Sequence, residues 1–169
     1  MYLIFIGILI IAGCSKSEVD DQQLLMQSMI NGAKQFVQNT YPNTSFYQAV
    51  GYSGQNGGRT LDDIISWQFI FNCSDTSTVT LDYSGEVYSN LIFVPQMWMG
   101  DRIIDAPIKM DLAEAFTLMQ NINPEKPFSS LQLRMPLHPD VKEPYYIFSL
   151  YTEEKVVIIE TISKKVSIK

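Results

Sequence analysis

Two stretches of this chain place large apolar residues at every second position, and they superpose without a gap. In the first, Trp67, Phe69 and Phe71 precede Val79, Leu81, Tyr83, Ser84 and Val87; in the second, Tyr146, Phe148 and Leu150 precede Val156, Ile158, Ser163 and Val166. The spacing sets Trp67 on Tyr146, Phe69 on Phe148, Phe71 on Leu150, Val79 on Ile158 and Val87 on Val166. Alternate side chains of a strand share one face, so each stretch reads as an antiparallel hairpin with one side buried. The remaining elements have to cover those buried sides.

Two amphipathic segments are the candidates for that cover. Leu25, Met29, Ala33, Phe36 and Val37 recur at helical spacing until Pro42 ends the run. Gly32 in its middle costs about 1 kcal/mol relative to Ala, which marks a close approach to the sheet. The second segment starts at Asp111, an N-cap residue with Glu114 three positions on, and its apolar side is Leu112, Ala115, Phe116 and Met119. Gln38, Asn39, Pro42 and Phe46 after the first helix align with Gln120, Asn121, Pro124 and Phe128 after the second.

The spacing predicts strands over 46–52, 66–73, 78–83 and 87–94 in the first half. In the second half it predicts strands over 106–109, 131–135, 145–152, 155–161 and 165–168. One order of helix, proline stop, strand, irregular loop and aromatic hairpin, written twice, points to a duplication. The expected class is therefore α+β: two repeated units, each an α-helix packed on an antiparallel β-sheet. The units run over 22–95 and 105–169, with a linker over 96–104. Whether they share a sheet is open.

Residues 1–13 are apolar, too few to span a bilayer and of signal-peptide length. Cys14 follows at once. The run Ile11, Ala12, Gly13, Cys14 resembles the lipobox of bacterial lipoproteins, although no Lys or Arg precedes it. The resemblance implies a cleaved signal, acylation of Cys14, Ser15 as the second mature residue, and a cell-envelope protein held to the membrane by lipid. In a Gram-negative cell, Ser15 is compatible with the outer membrane. Each buried methylene of an acyl chain contributes about 0.8 kcal/mol, so several chains on one residue anchor stably. Residues 14–21 then read as a polar tether. Cys73 would be the remaining thiol, and its place on the apolar side of a strand predicts a buried, inert one.

The second unit carries Asp111 and Ala115 at a helix start, Tyr145 and Phe148 in a strand, and Ser163, Lys164, Lys165 and Val166 at the closing turn. The first unit has Asp82, Ser84, Gly85, Glu86 and Val87 at the equivalent turn. These features resemble the PepSY domain and its PepSY-like relatives, and the helix-on-sheet shape is also similar to cystatin-like inhibitors. The PepSY resemblance implies tandem helix-on-sheet domains of secreted or envelope proteins, some of which modulate a peptidase. It brings no catalytic residues.

The charge of −6 and the scattered basic residues argue against a protein that coats nucleic acid. The single histidine, His138, sits between Leu137 and Pro139 in a loop, and neither nucleophile nor orienting acid accompanies it in sequence. No residue spacing selects a metal site, a cofactor site or a catalytic pair, and the glycines over 53–60 lack phosphate-loop spacing. Met97, Trp98 and Met99, in a loop, either form an apolar patch for a partner or let Trp98 fold back onto the seam between the halves. The reading that follows is a non-enzymatic envelope lipoprotein that binds a protein or peptide, an envelope peptidase among the candidates. A small-ligand carrier or enzyme with a pocket between the units, and a structural part of a surface assembly, are the alternatives.

Overall fold

The computed structural model describes residues 19–124, 126–151 and 153–169, with side chains from Met26 onward. The expected signal peptide, Cys14 and most of the expected tether lie outside these residues. Helix α1 (Val19–Gln38) leads into β1 (Ser45–Ser53), β2 (Ile64–Asn72), β3 (Thr78–Ser84) and β4 (Val87–Val94). Helix α2 (Leu112–Ile122) leads into β5 (Phe128–Arg134), β6 (Tyr145–Leu150), β7 (Val156–Glu160) and β8 (Val166–Ile168).

The strands form one antiparallel sheet in the order β4, β3, β2, β1, β5, β6, β7, β8. The expectation of two repeated units, each a helix on its own antiparallel sheet, is overturned here, and the open question of a shared sheet is answered. In the middle of the sheet β1 pairs directly with β5, setting Ala49 opposite Leu133 and Gly51 opposite Leu131. The same β1 residues face Phe69 and Trp67 of β2 on their other side. A single buried cluster runs from Val79 and Leu81 through Phe69, Ala49, Leu133 and Tyr146 to Val157 and Ile159, and both helices add to it. Neither half has a core of its own, so the molecule is one eight-stranded sheet covered on one face by two helices.

The helix side of the sheet is set by the predicted alternation. Trp67, Phe69, Phe71, Tyr146, Phe148 and Leu150 are all buried there. Helix α1 meets it with Met26, Met29, Ile30, Ala33 and Val37. Phe36, expected on this face, is instead 39% exposed and rests against the Tyr88 ring at the rim, 5.7 Å away between centroids. Gly32 does mark a close approach: a Cβ there would lie 2.5 Å from the Tyr88 hydroxyl. That hydroxyl donates to the Met29 carbonyl at 2.8 Å, locking α1 to β4.

Helix α2 opens as its sequence predicts, Asp111 Oδ1 accepting from the Glu114 amide at 2.6 Å. Phe116 packs edge-on against Phe128 at 6.0 Å. The strand expected over 106–109 is not formed. Pro107 has no N–H for a ladder, and the Ile108 amide donates to the Gln27 side chain instead. Cys73 is half-buried rather than buried, because β2 ends at Asn72 and Cys73 already belongs to the turn that its amide closes onto the Ser77 carbonyl.

Candidate functional site

With both helices on one side, no described helix covers the other face of the sheet. The residues that point there are the alternates of the core set. Gln48, Val50 and Tyr52 come from β1, Gln68 and Ile70 from β2, Gln132 and Arg134 from β5, and Tyr145 and Ile147 from β6. Val50 and Ile70 are nonetheless only 7% and 3% exposed. Their register neighbours are amides: Gln132 and Gln68 flank Val50, and Gln48 flanks Ile70. The Gln48 side chain donates to Gln132 across the β1–β5 seam at 3.1 Å, and Gln68 donates to Asp82 at 3.1 Å. These polar bridges fix side chains on the face that no described helix covers.

The segment over 95–109, which takes in the expected linker over 96–104 and the expected strand over 106–109, is a packed strap that rounds one end of the sheet. Its backbone is tied to three strands in turn. The Trp98 amide donates to Asn72 Oδ1 at the end of β2, Ile104 donates to the Phe46 carbonyl of β1, and Arg102 donates to Met135 just past β5. Thr78 of β3 joins through its hydroxyl, whose one hydrogen lies between the Gln96 carbonyl at 2.6 Å and Asn72 Oδ1 at 3.0 Å.

Asp101 is the keystone of the strap. Its side chain is fully buried, with Oδ1 accepting from Arg134 Nε at 2.7 Å and Oδ2 from the Trp98 indole at 2.7 Å. Arg134 also donates to the Gly100 carbonyl at 3.1 Å. A buried carboxylate is tolerated where both oxygens are engaged and a cation lies beside it. Sequence reasoning missed this residue because a lone Asp in a loop reads as solvated. The available signal was Trp98 and Asp101 bracketing Gly100 within one turn.

The strap sorts the three residues singled out in the sequence. Trp98 is half-buried and acts as a tie, its indole on Asp101 and its backbone on Asn72. Met97 and Met99 remain 43% and 73% exposed. Leu137 and Ile103 are exposed nearby, and with Tyr47 the group lines an open depression of about 440 Å³. Methionine is unbranched and polarizable, which suits a surface that adapts to an apolar partner.

The titratable groups elsewhere serve the fold. His138 is exposed, its Nδ1 accepting from the Asp140 amide at 3.3 Å to hold a turn. Glu143 accepts from the Ile162 and Ser163 amides and so pins the loop after β7. Burial pushes the Tyr145 phenol up, and the nearby carboxylates of Glu160 and Glu143 push it further. Among the described residues no group of three or more His, Cys, Asp or Glu side chains is placed to hold a metal ion. No described helix is long and apolar enough to cross a membrane.

The fold has a solved counterpart. It is similar to the crystal structure of a putative lipoprotein from Clostridium difficile 630, with a TM-score of 0.54 over 83% of this chain and 91% of that one. Sequence identity is 7%, so the likeness is one of fold alone. No protein-family model matches the chain, and no curated protein matches it. The PepSY resemblance therefore rests on short turn and helix-start motifs without further support, and the continuous sheet removes the tandem-domain architecture it implied.

Proposed function

We propose that this chain is a lipid-anchored protein of the bacterial cell envelope that works by contact, binding a protein or peptide partner at the uncovered sheet face and its Met97–Met99 rim. One observation carries the reading: an end of the sheet fastened by buried Asp101 with Arg134 and Trp98 holds exposed Met97, Met99 and Leu137 beside a face that no described helix covers. A pre-organised apolar rim loses little entropy on binding, which is what a docking surface needs. The lipobox at Cys14 and the fold shared with a putative lipoprotein support the location.

The test uses the full chain in bacterial cells, with a photo-crosslinking amino acid in place of Met99 and, as a control, in place of Ser163. A discrete adduct from position 99 that Met97→Asp abolishes is the expected result. Equal adducts from both positions, or none, would overturn the docking surface. Location is read separately: Cys14→Ser should lose incorporation of an alkyne-tagged fatty acid and release the chain from the membrane fraction.

A further inference from the structure

The two edges of the sheet are unequal. At one edge β8 has three residues; at the other β4 has eight and carries no charged side chain over Val87–Val94. Val87, Ile92, Phe93 and Val94 of β4 are 60%, 51%, 43% and 38% exposed. A monomeric protein ordinarily blunts such an edge with lysine, proline or an irregularity. Here the irregularity is the register shift between Thr80 and Asp82, opposite which Asn90 takes a left-handed φ of 50°. It separates the turn-proximal residues from Leu91–Val94, after which the chain bends at Pro95 and Gln96, the Gln96 amide donating back to the Val94 carbonyl, before it reaches Met97.

We infer that the outer edge of β4 over Leu91–Val94 receives an extended segment of a partner protein, added as a ninth strand, whose apolar core is flanked by lysine or arginine. The side chains of such a strand alternate between the two faces. On the uncovered side they meet Ile92 and Val94 and approach the Met97 rim. On the helix side they meet Phe93, which already stacks on Tyr41 at 5.7 Å with rings 17° apart.

Charge selects the occupant. Residues 19–95 hold seven acidic and two basic side chains, net −5, against ten acidic and nine basic, net −1, over 96–169. Asp82 lies on the strand next to the edge, with Asn90 donating to it at 3.1 Å, and Glu86 stands at the turn. An isologous pairing of two β4 edges would bring two of these net-negative halves together, which disfavours a second copy as the occupant. A basic-flanked segment meets the same field attractively.

This inference rests on the partner-binding reading above and narrows it to a class of partner. The probe is a ten-residue peptide of alternating valine and tyrosine with two lysines at each end, beside a twin with glutamates at the ends. Binding is followed by fluorescence anisotropy and by amide hydrogen exchange of the full chain in detergent micelles. The lysine peptide should slow exchange over Leu91–Val94 and bind at least about tenfold tighter than its twin. Ile92→Lys should weaken it by a similar factor and Ile92→Glu should not; Ile92 is exposed, so neither substitution disturbs folding. Unchanged exchange over β4, equal binding of the twins, or protection that grows with protein concentration alone would overturn the inference, the last by naming a second copy as the occupant. Met99→Asp separates the two readings, since it removes the rim and leaves exchange protection at β4 intact.

Discussion

At the scale of single residues, the molecule depends most on Asp101. Both of its oxygens are used, one by Arg134 and one by Trp98, and the side chain is fully buried while Arg134 is 26% exposed. Asp101→Ala leaves the guanidinium and the indole without their acceptor, and loss of one member of a buried pair typically costs 3–5 kcal/mol. Because Arg134 retains access to water, the cost should fall at or below the low end of that range, about 2–3 kcal/mol, read as a lower urea midpoint with an unchanged slope. Asp101→Asn keeps an acceptor for one of the two donors and should lose less. The emission of Trp98 should shift to the red in the Ala variant before global unfolding, because its anchor is gone. Equal midpoints for wild type and Asp101→Ala would mean that the strap is held by its backbone bonds alone. In the sequence only the spacing of Trp98, Gly100 and Asp101 pointed to this residue, since its burial is created by strands β2 and β5 arriving from either side of the strap.

At the scale of elements, the contact between α1 and β4 is legible in both sequence and structure. Gly32 interrupts a helical pattern where Ala would be better by about 1 kcal/mol, and the structure supplies the reason in the Tyr88 hydroxyl. Gly32→Ala gains helix propensity but forces a Cβ to within 2.5 Å of that oxygen, so the net effect should be a loss of about 1–2 kcal/mol. Tyr88→Phe alone gives up the hydrogen bond to Met29 and should cost about 1 kcal/mol. Together the two changes should be less harmful than their sum, because the phenylalanine removes the atom that the new methyl meets; the ring carbon behind it is 3.2 Å away. A double-mutant cycle in urea measures this, and strict additivity would show that α1 moves as a body. Other element assignments came through for equally local reasons. The alternation of Trp67, Phe69 and Phe71 named β2 and its buried face, and Asp111 named the start of α2. The strand expected over 106–109 failed because Ile108 serves the strap, packed on the core as Ile104 is before it, with Pro107 between them.

At the scale of the whole molecule, the feature the sequence did not disclose is the pairing of β1 with β5. It joins residues some eighty positions apart, such as Val50 and Gln132, and alternation within each strand says which face is buried but not which neighbour lies alongside. The consequence is mechanical. A chain of two self-contained units would unfold in two steps, whereas one sheet with one core should unfold in one. Leu133 tests the difference, being fully buried in β5 directly opposite Ala49 at the seam. Leu133→Ala should cost about 2–5 kcal/mol. Hydrogen exchange at rising urea should show β2 and β7 peptides losing protection at a common, lowered midpoint. If β7 peptides moved and β2 peptides kept the wild-type midpoint, the first half would be stable without the second. The uncovered face, which spans the seam through the Gln48–Gln132 bridge, would then belong to two bodies able to shift against each other, and a rim fixed by Arg134 of one half and Asn72 of the other could not be held rigid for a partner.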